Sequence, residues 1–308
     1  MRPIEGTLYS HFQKSVTKLV RKKGSGWNFE RELVWERLDA TVNKIRASDG
    51  YRVTSFRELM DEVAYVTLSN RNYEMYYRGQ SRDYKNNQGA YYKEQNRIAK
   101  STIYPTICRP GRKPDGTLKY SIRRPQIQTR YDELRDIIDA FSGKRSYFNE
   151  YYYALFQHYD ILPTPFIDVT QSLRVAATFA LRKSATGYVY VFGLPYPNQS
   201  ISYFRDMEIV LMKLQNIVPA KALRPRFQEG FLVGKFPIKP TKENGDDLAN
   251  RMVAKFLVDN TNGTFWDKYF QPMPDDVLYP KNDDVEAELL KVKEHFRTNT
   301  LEKIETWV

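Results

Sequence analysis

The sequence predicts an α+β fold, a mixed or antiparallel sheet core with flanking helices, and three observations carry that prediction. Four runs with strand character follow one another in the second half of the chain (GYVYVFGL, ISYF, MEIVLMKL and GFLVGKF). Helical periodicity lies before and after them. The regular strand-helix alternation of a doubly wound sheet is missing, so segregated strands and helices are favoured. The 308 residues are enough for one large domain or two moderate ones.

The elements are expected in the following order. Residues 1–50 read as an N-terminal helical extension, because Phe29, Leu33, Val34, Leu38, Val42 and Ile45 fall on an approximate helical face over Asn28 to Ile45. The turn-forming connector RASDGYRV leads into a main α+β domain over residues 51–240. There Thr54 or Ser55 caps a helix, with Glu58 three residues after Ser55 and apolar positions at Leu59, Val63 and Val66. NYEMYYRGQ reads as a strand that delivers Arg78 near its end. Residues 81–97 are polar and tyrosine-rich, and Pro105 to Arg130 is dense in Pro, Gly and Arg, so loop with short strands is expected. Helical spacing returns at Leu134, Ile137, Ile138 and Phe141, and again in NEYYYALFQHYDI, which Pro163 stops. PFIDVTQ is a short strand, and Ser172 caps the helix LRVAATFALRKS. After the four strands, Glu243 to Asp247 is an acidic loop. ANRMVAKFLVD and VEAELLKVKEHFR then read as helices of a C-terminal helical region, residues 241–308, packed on the main domain.

Composition narrows the function classes. The 14% aromatic content, with 23 Tyr and 17 Phe, supplies burial area that a disordered chain lacks. A single cysteine, Cys108, excludes an internal disulfide and a cysteine zinc cluster. The three histidines are scattered, no EF-hand spacing occurs, and no metal site is expected. The N-terminal MRPIEGTLYSHF lacks the apolar run of a signal peptide and no segment is long and apolar enough for a membrane span, so a cytoplasmic, non-membrane protein is expected. The net charge of +11 is concentrated in the first half, in KLVRKKGS, around Arg97 and through Arg123, Arg124 and Arg130. It suits either a solvated basic surface or attraction to a polyanion. No GxGxxG, P-loop, HExxH or GxSxG motif is present.

Two segments concentrate the chemistry. In Tyr77-Arg78-Gly79-Gln80, a strand-end arginine can grip a carboxylate, phosphate or pyrophosphate, and Gly79 permits a tight backbone turn beside it. Arg109 offers a second positive anchor. In Gln157 to Ala180, Gln157 and His158 end a helix, and Asp168, Thr170 and Ser172 alternate through a strand-to-helix junction. Those groups can position a sugar or an arginine, and the helix start favours an anion. Their structural alternative is charge neutralisation by Asp168 and capping by the hydroxyls. His158 is either a general acid or base or a hydrogen-bonding post. A triad of Ser172, His158 and Asp168 lacks the nucleophile elbow, and Ser172 suits capping better. Further on, Gln228 or Glu229 precedes a strand at Gly230, where a carboxylate can stabilise the charge of a breaking glycosidic bond. Glu208 is another such carboxylate.

These pieces resemble the FRG domain family, known by its Phe/Tyr-Arg-Gly motif, here Tyr77-Arg78-Gly79. The resemblance continues through Pro105-Thr106-Ile107-Cys108-Arg109, the Gln-His…Leu-Pro-Thr…Asp-x-Thr-x-Ser block of residues 157–172, and the Val-Ala…Phe-Ala helix. It ends at Arg224 or Arg226, Gln228, Gly230 and Phe231, and covers residues 54–235. The arrangement is similar to ADP-ribosyltransferases of the Arg-Ser-Glu type. That likeness implies an ADP-ribosyltransferase-like fold and NAD as cofactor. It implies Arg78 as the NAD anchor, Thr170 and Ser172 as the hydroxyl segment, and Glu229 as the acid. Two departures stand out: Asp168-Val169-Thr170 replaces a Ser-Thr-Ser run, and Gln228-Glu229-Gly230 replaces a Glu-x-Glu pair. The expected functions are therefore ADP-ribosyl transfer to a protein or nucleic-acid target, or NAD glycohydrolysis, and alternatively a non-catalytic nucleotide or nucleic-acid binding module.

Overall fold

The computed structural model describes residues 1–22, 24, 26–86, 98–108, 111–112, 118–119, 131–139, 148–238 and 247–300. Its centre is an eight-stranded sheet. The strands are β3 (Tyr51–Val53), β4 (Glu74–Gln80), β5 (Phe166–Thr170), β6 (Thr186–Leu194), β7 (Ile201–Phe204), β8 (Ile209–Lys213), β9 (Gly230–Lys235) and β10 (Met252–Asp259). Their spatial order is β3-β10-β6-β4-β5-β9-β8-β7. All neighbours are antiparallel except β3 and β10. The expected mixed sheet with flanking helices is therefore present.

Alternation along the strands divides the core between the two faces of the sheet. Ile167, Val169, Leu211, Phe231 and Val233 face one core, and Phe166, Val210, Met212 and Leu232 face the other. The first core is closed by α1 (Val42–Ala47), α2 (Phe56–Ser69) and the helix Leu173–Leu181. The second is closed by a helix over residues 131–139, by Asn149–His158 and by Asp284–Thr300. We number these four later helices in chain order: α3 (131–139), α4 (Asn149–His158), α5 (Leu173–Leu181) and α6 (Asp284–Thr300). The Ser55 hydroxyl accepts from the Glu58 amide at the start of α2, and the Glu58 carboxylate accepts from the Thr54 amide at 2.9 Å. Of Thr54 and Ser55, Ser55 is therefore the cap, and the Thr54 amide is the partner of the Glu58 side chain.

The N-terminal segment is not the expected helical extension. It forms a two-stranded antiparallel hairpin, β1 (Leu8–Lys22) and β2 (Gly26–Ala40), in continuous register from Leu8↔Ala40 to Lys22↔Gly26. Trp27, Phe29 and Trp35 stand at odd positions and share a strand face, while in the sequence Phe29, Leu33, Val34 and Leu38 imitate helical spacing. Pairing with β1 decides between the two, and Gly24 supplies a backbone angle of φ +125° at the reversal. Nor is the extension separate, because Met1, Ile4 and Leu8 are buried in the main core.

ANRMVAKFLVD is likewise not a helix. Residues 252–259 are β10, an interior strand between β3 and β6, so the C-terminal region contributes to the main sheet itself. Seven of its eight residues are buried, and a strand covered on both faces loses the alternation that identifies strands in a sequence. Its Lys255 is buried as well. The ammonium meets Asp83 Oδ2 at 3.0 Å, Ser101 Oγ at 2.8 Å and the Ser48 carbonyl oxygen.

Candidate active site

Strands β4 and β5 share a single register pair, Tyr77↔Thr170, before they diverge. The divergence opens a cavity of about 200 Å³ at the middle of the sheet. Arg78 and Gly79 line it from β4, and Asp168, Val169 and Thr170 from β5. Gln157 and His158 enter from the end of α4, Arg224 and Gln228 from the segment before β9, and Phe179 and Tyr279 as a pair of rings in edge-on contact, 6.3 Å between centres.

Arg78 bridges the divergence by donating from Nη1 to the Asp168 carbonyl oxygen at 2.5 Å. Its neighbour Gly79 has a role different from the expected tight turn. A Cβ there would lie 1.8 Å from the Ala176 carbonyl oxygen and 2.7 Å from the Ala180 amide nitrogen. Glycine is required because α5 rests directly on the β4 backbone. Gly187 on β6 does the same under Ala180, where a Cβ would meet the carbonyl oxygen at 2.2 Å.

His158 and Asp168 form the most organised pair in the cavity. His158 Nδ1 lies 3.2 Å from Asp168 Oδ1, and Gln157 Nε2 donates to Asp168 Oδ2 at 2.7 Å. Gln157 is held in turn by the buried Thr164, whose hydroxyl donates to Oε1 at 2.5 Å. Burial pushes the Asp168 carboxyl up, but hydrogen bonds from His158 and Gln157 and the nearby Arg78 charge outweigh it and bring it to about 2. An ionised Asp168 beside Nδ1 favours a proton on that nitrogen, the tautomer in which Nε2 carries the lone pair. The His158 side chain is only 3% exposed, and Nε2 has no hydrogen-bond partner among the described residues. A Cβ on Gly230 would stand 2.9 Å from Leu214 Cδ1 and in ordinary contact, 3.5 Å, with His158 Cε1, so it is the packing of Leu214 that a side chain there would disturb.

The opposite wall is cationic and aromatic. The Arg224 guanidinium stacks 4.8 Å from the Tyr279 ring centre and 5.8 Å from that of Tyr159. It also faces Asp160 at 3.6 Å and Glu286 at 3.5 Å. Asp283 fixes this wall: its carboxylate accepts from the Leu223 and Arg224 amides at 3.0 and 2.9 Å, from the Tyr159 hydroxyl at 2.8 Å, and from the amides that open α6.

The residues expected from sequence therefore separate into groups. Arg78, Gly79, His158, Asp168, Thr170 and Gln228 converge on one cavity. Thr170 serves there as a brace, donating to the Gln228 carbonyl at 2.8 Å and accepting from the Ser172 amide at 2.9 Å. Gln228 is buried and donates to the Leu278 carbonyl at 2.8 Å. Ser172 stands outside the lining and caps α5 through the Val175 amide, so its role is structural. Glu229 is exposed, left-handed at φ +46°, and absent from the lining. Glu208 faces the N-terminal amine and Arg2, beyond the far end of β9. Arg109, like Arg97, Arg123, Arg124, Arg130 and residues 243–246, lies outside the described residues.

Sequence reasoning assigned no role here to Tyr279, Phe179 or Asp160. Tyr279 carries no local signal, since it reaches the cavity only through the docking of the chain after β10. Arg224 was visible only as one of two arginines in a motif. No group of three metal-ligating side chains occurs among the described residues, and none of their helices is long and apolar enough to cross a membrane.

Residues 73–188 match the family profile of the FRG domain. The match takes in the Tyr77-Arg78-Gly79 strand and the Gln157 to Ala180 block. The wall built from Arg224, Gln228, Gly230 and Tyr279 lies beyond it. No curated protein and no solved structure matches the chain.

Proposed function

Taking the FRG domain of residues 73–188 as premise, we propose that the cavity is a nucleotide-processing site, in which an NAD-type ligand is held through its anionic part and His158 manages a proton at the glycosidic bond. One observation carries the reading: a buried histidine that lines the cavity together with Arg78 and Arg224, with Nδ1 3.2 Å from the ionised Asp168 carboxylate and Nε2 buried without a partner among the described residues. The volume of about 200 Å³ falls below the usual range for whole drug-sized ligands. The cavity therefore receives one ring-and-sugar unit, and the rest of a dinucleotide stays at the mouth.

In this reading the C–N bond to nicotinamide breaks and the ring departs with the bonding pair. Water or an acceptor hydroxyl attacks the sugar carbon and passes its proton to His158 Nε2. Asp168 stabilises the resulting imidazolium. Arg78 and Arg224 supply charge complementarity to phosphate. Asp168 thereby takes the place that the family likeness gave to Glu229.

The test is nicotinamide release from NAD by the purified chain, alone and with cell extract. Release that is lost in His158→Gln and retained in Glu229→Gln supports this reading. Loss in Glu229→Gln with retention in His158→Gln would return the chemistry to the carboxylate of the Arg-Ser-Glu scheme. The exposure of Glu229 and the remoteness of Glu208 favour a second reading, a binding module without turnover. Its mark is NAD binding that Arg78→Ala abolishes, with no nicotinamide released.

A further inference from the structure

Two aromatic side chains of the cavity lining stand apart from the cores of the fold. Among the described residues, Val169 and Tyr77 pack on the first core, whereas Phe179 and Tyr279 line the cavity without joining either core. On α5, Val175 to Thr178 and Ala180 are buried, and Phe179 between them is half-exposed. Its ring centre is 6.3 Å from that of Tyr279, with the two planes at 84°. The pair makes a nearly right-angled corner, in which a flat ring can stack on one side chain and meet the other edge-on.

Tyr279 comes from the chain that follows β10, and α5 ties that chain down. Arg174, Thr178 and Arg182 are spaced by four along α5 and its C-cap, and so lie on one face. Arg174 donates from Nε to the Gln271 carbonyl oxygen at 2.6 Å, and the Thr178 hydroxyl accepts from the Met273 amide at 3.0 Å. Arg182 forms a two-pronged pair with Asp275, through Nε at 2.9 Å and Nη2 at 3.2 Å. The same guanidinium lies 4.4 Å from the Tyr279 ring centre. On the side of β9, Gln228 holds the Leu278 carbonyl, one residue before Tyr279, at 2.8 Å. The ring is therefore positioned by contacts within the chain.

We propose that Phe179 and Tyr279 are the specificity-determining slot for the flat heteroaromatic ring of the ligand, and that Arg182 is the positioning residue that holds Tyr279 there. The inference rests on the nucleotide reading of the cavity, which makes that ring nicotinamide. Arg78, Gln157, His158, Asp168 and Gln228 give the rest of the lining hydrogen-bonding groups, which suit a sugar and its phosphate. The aromatic corner supplies what those groups lack, an apolar surface with the geometry of a ring. Both guanidiniums at Tyr279 are paired with carboxylates, Arg182 with Asp275 and Arg224 with Asp160 and Glu286. The pairing offsets their charge toward a pyridinium ring.

The experiment is calorimetric titration of the full chain with NAD, nicotinamide mononucleotide, ADP-ribose and ribose 5-phosphate. The readout is the affinity for nicotinamide mononucleotide relative to ribose 5-phosphate, a ratio that general loosening of the cavity does not move. Tyr279→Ala is expected to lower it by about tenfold, and Tyr279→Phe, which keeps the ring, by no more than about twofold. Arg182→Ala is expected to lower it by a smaller factor. Arg182→Lys, which keeps the charge but loses the two-pronged pair, falls between Arg182→Ala and wild type. A ratio unchanged in Tyr279→Ala overturns the slot, and one unchanged in Arg182→Ala overturns the positioning role. If Tyr279→Ala weakens ADP-ribose while nicotinamide mononucleotide does not bind, the slot stands with adenine in it and the nicotinamide reading of the cavity falls. Failure of all three ring-bearing nucleotides to bind the wild type overturns both.

Discussion

His158 and Asp168 are ten residues apart in the chain and 3.2 Å apart in space. They meet because α4 ends at His158 and the intervening loop returns the chain as β5, antiparallel to β9. Gln157, on the last turn of the same helix, holds the second carboxylate oxygen at 2.7 Å. A helix terminus and a strand together fix a carboxylate, an imidazole and a ring tautomer.

That relationship predicts how Asp168→Asn behaves. The amide cannot stabilise an imidazolium, and it can present a donor to Nδ1 and reverse the tautomer. Turnover is expected to fall by about a hundredfold or more, with NAD affinity little changed. His158→Gln is expected to fall as far, and the double variant no further. Nicotinamide release alongside NAD binding by calorimetry checks all three.

The contact between α5 and β4 predicts that Gly79→Ala is costly. A methyl 1.8 Å from a backbone oxygen forces the helix outward, at a cost of about 1–3 kcal/mol or more. Gly26→Ala, where nothing among the described residues lies within 4 Å, is expected to stay within about 0.5 kcal/mol of wild type. Urea midpoints measure both.

Lys255 predicts a coupled pair of variants. Lys255→Met leaves the buried Asp83 carboxylate, among the described residues, with the Tyr190 hydroxyl at 3.0 Å and Lys85 at 3.8 Å, and a loss of about 3 kcal/mol is expected. Adding Asp83→Leu is expected to recover a large part of it. A double-mutant cycle in urea reads the coupling.

The hairpin base predicts a pH dependence of stability. Burial pushes the His11 imidazole down, against the opposing pull of Glu62 at 2.7 Å, with the Arg37 charge also lowering it. A folded-state value below the unfolded one means that the unfolded chain binds the proton more readily. Stability is therefore full above about pH 6.5 and declines as pH falls toward the lowered value. His11→Gln is expected to flatten the urea midpoint between about pH 7 and 5. The depressed Asp168 carboxyl acts in a separate window, with its contribution present above about pH 4 and lost as pH falls toward about 2.

Much of this was legible in the chain because the signals are local. Ser55 and Glu58 announce the start of α2, Ser172 that of α5, and the alternating runs from Thr186 onward the strands of the second half. The site segments were legible through residue type, since Arg78, His158, Asp168, Thr170 and Gln228 do converge. Errors arose where periodicity was ambiguous. Phe29 and Leu33 fit helical spacing with Val34 and Leu38 as well as strand alternation with Trp27 and Trp35, and β10 is buried on both faces and shows no alternation.

By itself the sequence determined where helices start and which strands are half-covered. It also set the charge of the chain and the two segments whose side chains line the central cavity. Those properties depend on spacings of two to four residues, which the chain displays directly. Tertiary structure alone decided that β1 pairs with β2 and that β10 runs through the interior of the sheet. It decided too that β4 and β5 part after one register pair, and that Arg224 and Tyr279 close the cavity while Glu229 turns outward. Each of those outcomes depends on contacts between residues far apart in the chain, whose free energy comes from burial and hydrogen bonding that exist only once the sheet has assembled.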